Sequence, residues 1–125
     1  MELTKNELQF MNVLWTAGKP LVANEILELS VDKTWSDASL HTILKRLLKK
    51  GAVVEEGFTK GKKFFLQTYI PTMTKEDYYR NEVFSDCKET EIPMIFSALL
   101  RDTDCDDETM DKLEEIIRKR RAGAL

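Results

Sequence analysis

Seven cations fall between residues 36 and 63, namely Lys45, Arg46, Lys49, Lys50, Lys60, Lys62 and Lys63, against the acids Asp37, Glu55 and Glu56. A local excess of +4 is what a polyanion would feel, because salt screening over about 8–10 Å hides charges elsewhere on the chain. The net charge of −3 conceals this asymmetry: residues 1–71 hold ten Lys/Arg and eight Asp/Glu, whereas residues 72–125 hold nine and fourteen. The sole histidine, His41, lies just before the first cations and reads as a side chain facing that polyanion or solvent, not a catalytic base. A thiol nucleophile would need a histidine and an orienting group, but Cys87 and Cys105 both lie far along the chain. No nucleophile–base arrangement emerges, so the chain reads as a non-enzyme with no cofactor or metal. The acids Asp102, Asp104, Asp106, Asp107, Glu108 and Asp111 lack the glycine and terminal glutamate of a calcium loop and suit a solvated helix start. The cationic run Arg118 to Arg121 suits the negative end of a helix.

Helical periodicity positions the cations. Thr4-Lys5-Asn6-Glu7 has the form of a capping box, and Leu8, Met11, Leu14 and Trp15 follow at helical spacing, which predicts a first helix from Lys5 to Thr16 stopped by Gly18 and Pro20. A short helix over 23–29 should turn Ile26 and Leu29 inward, with Trp35 as a hydrophobic anchor in the connector beyond. Ser36 can cap a third helix ending at Gly51. Leu40, Ile43, Leu44, Leu47 and Leu48 form its apolar stripe, which leaves Ala38, Thr42, Lys45 and Lys49 on the opposite face with Ser39 and Arg46 at the edges.

After Gly51 the pattern becomes extended. Residues 52–56 and 62–69 read as strands around a glycine-bounded connector, Gly57 to Gly61, giving a hairpin with a basic tip. Three short helices followed by such a hairpin make a winged helix-turn-helix. The fold class is therefore mainly α with a small β-hairpin, and Pro71 divides a DNA-binding domain over 1–71 from a helical dimerisation domain over 72–125. In the second part, Thr74 caps a helix extending toward Lys88, Pro93 opens another, and Asp106 or Asp107 begins the last. A tail of this size cannot surround its own apolar residues. A second copy is expected to cover Met94, Ile95, Phe96, Leu99 and Leu100 together with Met110, Leu113, Ile116 and Ile117. The opening residues carry no export signal, no apolar run is long enough to span a membrane, and the thiols suit a reducing compartment, so a cytoplasmic protein without membrane insertion is expected.

The chain resembles the penicillinase repressor family of the BlaI/MecI type, which also includes copper-responsive repressors. The resemblance rests on Leu3-Thr4 with Glu7, Met11 and Val13-Leu14-Trp15, Trp35-Ser36, Thr42 to Leu47, and Lys49-Lys50-Gly51, and continues more weakly through Tyr69, Pro71, Tyr78, Tyr79 and the last helix. It implies a homodimer that represses genes by binding a double-stranded, pseudo-palindromic operator, with the third helix in the major groove. Base readout then falls to Ala38, Ser39, His41 and Thr42, and phosphate contacts to Ser36, Lys45, Arg46, Lys49, Lys60, Lys62 and Lys63. The resemblance further implies that a signalling protease or another inducer, unidentified, relieves repression. The Asn-Phe bond cleaved in β-lactam-responsive members is matched here by Glu82-Val83, and the paired Cys-x-Cys motifs of copper-responsive members are absent. A winged-helix module that docks a protein through the same helix or wing is the alternative, separated from a DNA binder by whether its exposed face is basic or apolar.

Overall fold

The computed structural model describes residues 1–125 apart from the side chain of Val83. Its elements run α1 (Lys5–Ala17), α2 (Ala23–Leu29), α3 (Leu40–Lys50), β1 (Val53–Lys60), β2 (Phe65–Pro71), α4 (Lys75–Tyr78), α5 (Ile92–Asp102) and α6 (Asp107–Arg121). This is the expected mainly helical fold with a small hairpin.

Both arms of the α1 capping box form: the Thr4 amide donates to Glu7 Oε1 at 2.9 Å, and the Glu7 amide donates to Thr4 Oγ1 at 3.2 Å. Gly18 ends α1 and Gly51 ends α3 in the left-handed region, at φ 65° and 80°, where a side chain would be strained. The core of the first compact unit gathers Phe10, Met11 and Leu14 of α1, Ile26 of α2, the α3 stripe Leu40, Ile43, Leu44 and Leu47, and Ala52 and Val53 entering β1. Trp35 is buried and stacks obliquely on Phe10 at 6.3 Å between ring centroids, the anchoring role its place in the connector suggested.

Several local details differ from expectation. Leu29 is exposed, because Ser30 ends α2 and donates its hydroxyl to the Ile26 carbonyl, leaving Ile26 as the inward residue. Leu48, at the edge of the α3 stripe, is only half-buried. The segment Asp37–Ser39 is a tighter 3-10 turn leading into α3, and the Ser36 hydroxyl lies 3.0 Å from that of Ser39 and caps no amide. The hairpin connector lies at Gly61 to Phe64, not Gly57 to Gly61. β1 runs on through Gly57 to Lys60 because an irregularity between Glu55 and Gly57 absorbs one residue while pairing resumes at Gly57 with Thr68. Leu21 pairs with Tyr69 through two backbone hydrogen bonds of 2.8 and 3.2 Å, which fastens the hairpin to the loop before α2.

The first compact unit extends to Ser85. Pro71 ends β2 but not the packing: the Trp15 indole donates to the Met73 carbonyl at 2.9 Å, and Tyr78, buried, lies 5.9 Å from Trp15. The fourth helix stops well short of Lys88. It passes into a π-turn over Tyr79–Val83, closed by the Phe84 amide on the Tyr79 carbonyl, since Ser85-Asp86-Cys87-Lys88 offers no apolar stripe to bury. The Glu82-Val83 pair lies in this turn, and the side chain of Val83 is outside the described residues. The second compact unit, Asp86–Leu125, carries α5 with Pro93 in its first turn and α6 capped by Asp106, whose carboxylate accepts from the Thr109 amide at 2.8 Å. Hydrogen bonding with the Thr109 side chain, and then with its amide, holds the Asp106 carboxyl below its ordinary pKa. No described helix is long and apolar enough to cross a membrane.

Candidate nucleic-acid interface

α3 is built so that one face is core and the other is free. Leu40, Ile43, Leu44 and Leu47 are buried, whereas His41, Thr42, Lys45, Arg46 and Lys49 are all exposed. Ala38, in the turn before the helix, is exposed, and Ser39 is half-buried. The four residues expected to read bases therefore span two backbone geometries: Ala38 and Ser39 sit in the 3-10 turn and His41 and Thr42 in the first turn of α3.

The connector before this turn is tied to α1. The Thr34 amide donates to Gln9 Oε1 at 3.0 Å and its hydroxyl to Asn6 Oδ1 at 2.7 Å. Lys33 bridges to Asp37 at 2.7 Å and lies 5.6 Å over the Trp35 ring, so the acid nearest the presented face is partly neutralised. These contacts fix where α3 starts, and pattern reading does not reveal them.

Lys50 does not share the free face. Its ammonium donates to Glu7 Oε1 at 2.6 Å and to the Glu2 carbonyl at 3.0 Å, and the Glu7 side chain is 1% exposed. Burial pushes the Glu7 carboxyl up, but hydrogen bonds from Lys50 and Thr4 together with the Lys50 charge outweigh it and hold the pKa below the ordinary value. The capping box gave a reason for Glu7 at the helix start, but nothing in the sequence showed its link to Lys50.

Lys60 closes β1, and Lys62 and Lys63 form the hairpin tip, all three exposed. The Gly61 amide donates to the Phe64 carbonyl at 2.9 Å. A Cβ on Gly61 would stand 2.6 Å from that carbonyl oxygen and 3.1 Å from the Leu66 side chain, so the turn needs glycine for close approach. Phe58, Phe64 and Phe65 project around this tip, and the charge count did not single them out.

In the second unit, Met94, Phe96, Leu99, Leu100, Ile116 and Ile117 are exposed, and Ile95, Met110 and Leu113 are half-buried. Cys87 and Cys105 are free thiols, with Cys105 Sγ 3.3 Å from the Thr103 hydroxyl. No group of three or more His, Cys, Asp or Glu converges as a metal site among the described residues.

A three-helix unit with a helix-turn-helix, a two-stranded wing and a cationic exposed third helix defines a winged-helix protein. The chain belongs to the penicillinase repressor family, whose model matches residues 3–119. It is 34% identical over 77 residues to the penicillinase repressor of Bacillus licheniformis, covering 62% of this chain and 56% of the relative. It is 35% identical over 52 residues to the methicillin resistance regulatory protein MecI of Staphylococcus aureus, covering 42% of each. The matched region thus spans about half the length of these curated relatives or less. Among solved structures, monomeric Bacillus licheniformis BlaI in complex with the blaP half-operator is similar at 34% identity, with a TM-score of 0.44 over 62% of this chain and 89% of that one. A MarR family regulator from Neisseria meningitidis is similar at 14% identity and a TM-score of 0.43, over 98% of this chain and 82% of the other.

Proposed function

We propose that this protein is a homodimeric transcriptional repressor that binds a pseudo-palindromic double-stranded DNA operator through α3 and the wing. The observation that carries the reading is the division of α3, whose stripe is buried in the core while Lys45, Arg46 and Lys49 stand exposed on the same unit as the lysine-tipped wing. Membership of the penicillinase repressor family supports it.

In this reading α3 lies in the major groove. Ala38, Ser39, His41 and Thr42 meet base edges, because the start of a recognition helix approaches the floor of the groove. Ser36, Lys45, Arg46, Lys49, Lys60, Lys62 and Lys63 meet phosphates and set register. α5 and α6 pair two copies through Met94, Ile95, Phe96, Leu99, Leu100, Met110, Leu113, Ile116 and Ile117, and the two-fold axis of the dimer matches the operator's symmetry. The domains are then a DNA-binding part and a helical dimerisation part, in a cytoplasmic protein whose release from DNA depends on a protease or another inducer.

A mobility-shift titration of duplex DNA tests the reading. Affinity should fall steeply with salt, with the slope of log affinity against log salt reduced by about 0.9 for each phosphate contact removed. Weak, sequence-independent binding at every salt concentration would overturn it.

A further inference from the structure

An open groove of about 370 Å³ lies between α1, which contributes Gln9, Asn12, Val13, Thr16 and Ala17, and residues 29–33 at the end of α2 and in the connector beyond it. That volume suits a small organic molecule. Packing leaves two features of the walls unexplained. Leu29 and Val31 are apolar, yet 53% and 78% exposed. The Asn12 side-chain oxygen is buried without a hydrogen-bond partner among the described residues, so nothing offsets its desolvation.

Charge selects the class of ligand. Lys33 lines the groove, but its ammonium is held by Asp37 at 2.7 Å and lies over the Trp35 ring. Asp32 is exposed and makes no ion pair among the described residues. The groove therefore offers a free carboxylate and an unsatisfied amide oxygen beside hydrocarbon from Val13, Ala17, Leu29 and Val31. A protonated amine on an apolar body is the complement: its N–H groups meet Asp32 and, after a small turn of the amide, Asn12, while its hydrocarbon covers the rest. A carboxylate ligand would find the one lining cation already committed to Asp37.

We propose that this groove is an effector site for an apolar organic cation, and that its occupation tightens DNA binding. Its walls are the two parts that Thr34 ties together, through its amide to Gln9 and its hydroxyl to Asn6. The connector then leads into the turn from which α3 starts. A cation held by Asn12 on α1 and Asp32 on the connector adds a second tie along the same seam and leaves the Thr34 bonds in place. Lifting the connector would part the walls, so a ligand bound to both favours the state in which α3 is seated. The regulation rests on the DNA-binding reading above, whereas the site itself does not.

The test uses the full chain and three probes that share one apolar body and differ in the head: phenylbutylammonium, phenylbutanol and phenylbutyrate. Binding to the free protein is read from amide chemical shifts at Asn12, Thr16, Val31 and Asp32. The ammonium is expected to bind with a Kd on the order of 1 mM or tighter, the alcohol about two- to five-fold more weakly, and the carboxylate more weakly still. Asp32→Asn should remove the preference for the ammonium over the alcohol; asparagine tolerates the left-handed φ of 55° at this position, so the bend is kept. Equal binding of the three heads, or shifts that bypass the groove, overturns the site. Mobility shifts then use a duplex selected from a randomised pool by the wild-type protein. Saturating ammonium should raise its affinity about five-fold or more, and the duplex should raise ammonium affinity by the same factor. Ammonium binding with DNA affinity unchanged or lowered overturns the effector role and leaves DNA binding standing. Failure to select any duplex overturns the repressor reading and the regulation together, while the chemical shifts still decide the site. Should Asp32→Asn not fold, the three-probe comparison on wild-type protein decides alone.

Discussion

Lys49 and Lys50 are neighbours of the same type with different tasks. Lys50 neutralises a buried carboxylate, so Lys50→Met should destabilise the protein by about 2–3 kcal/mol, below the full cost of breaking a buried pair because the lysine is 35% exposed. Lys49→Ala should change stability by no more than about 0.5 kcal/mol and weaken binding to all DNA sequences about equally. Urea unfolding and mobility shifts on the two variants separate these roles; equal destabilisation would refute the division. Thr42→Ala should instead alter preference at particular bases, and an unchanged base profile would remove it from the readout set. The Glu7 pair also sets an acid limit. Since the folded carboxyl titrates below its ordinary value of 4.5, its stabilising contribution is full above that value and is lost as pH falls through the depressed one. Urea midpoints should drop more steeply below about pH 4.5 for wild type than for Glu7→Gln; parallel curves would exclude this pair as the cause.

The first three helices and the presence of a hairpin follow from spacing, whereas the place of its turn and the end of α4 follow from contacts that spacing does not show. Leu47, fully buried in the α3 stripe, should cost about 2–5 kcal/mol when changed to alanine, measured by thermal or urea unfolding. Capping and glycine signals located both ends of α1 and the C-terminal end of α3 within about a residue because each is local chemistry, whereas α3 begins at Leu40, beyond its expected start after Ser36, because Asp37–Ser39 form a 3-10 turn. The hairpin turn was misplaced because Gly57 and Gly61 look alike in sequence. Pairing across the strands distinguishes them: Gly57 sits beside an irregularity, and Gly61 alone faces a carbonyl too close for a Cβ. Gly61→Ala should therefore distort the wing tip and lower DNA affinity several-fold, whereas Gly57→Ala, with open space at its Cβ, should leave the tip intact. Amide chemical shifts at Lys62 to Phe65 distinguish the two.

At the scale of the molecule, the exposed apolar residues of α5 and α6 bear on assembly. Leu99→Glu combined with Ile117→Glu should convert a dimer to a monomer in sedimentation at micromolar concentration; a wild-type chain that sediments as a folded monomer would refute pairing. The sequence by itself determined the helical phases, the hairpin, the concentration of cations in α3 and the wing, and the family pattern, because each is written in residues a few positions apart. Only the tertiary structure decided that Lys50 is committed to Glu7, that Trp15 and Tyr78 carry the first compact unit past Pro71 to Ser85, and that three phenylalanines ring the lysine tip. Those facts depend on groups brought together across long stretches of chain, or on strand register. Burial, close approach and charge pairing are properties of that juxtaposition, which periodicity does not encode.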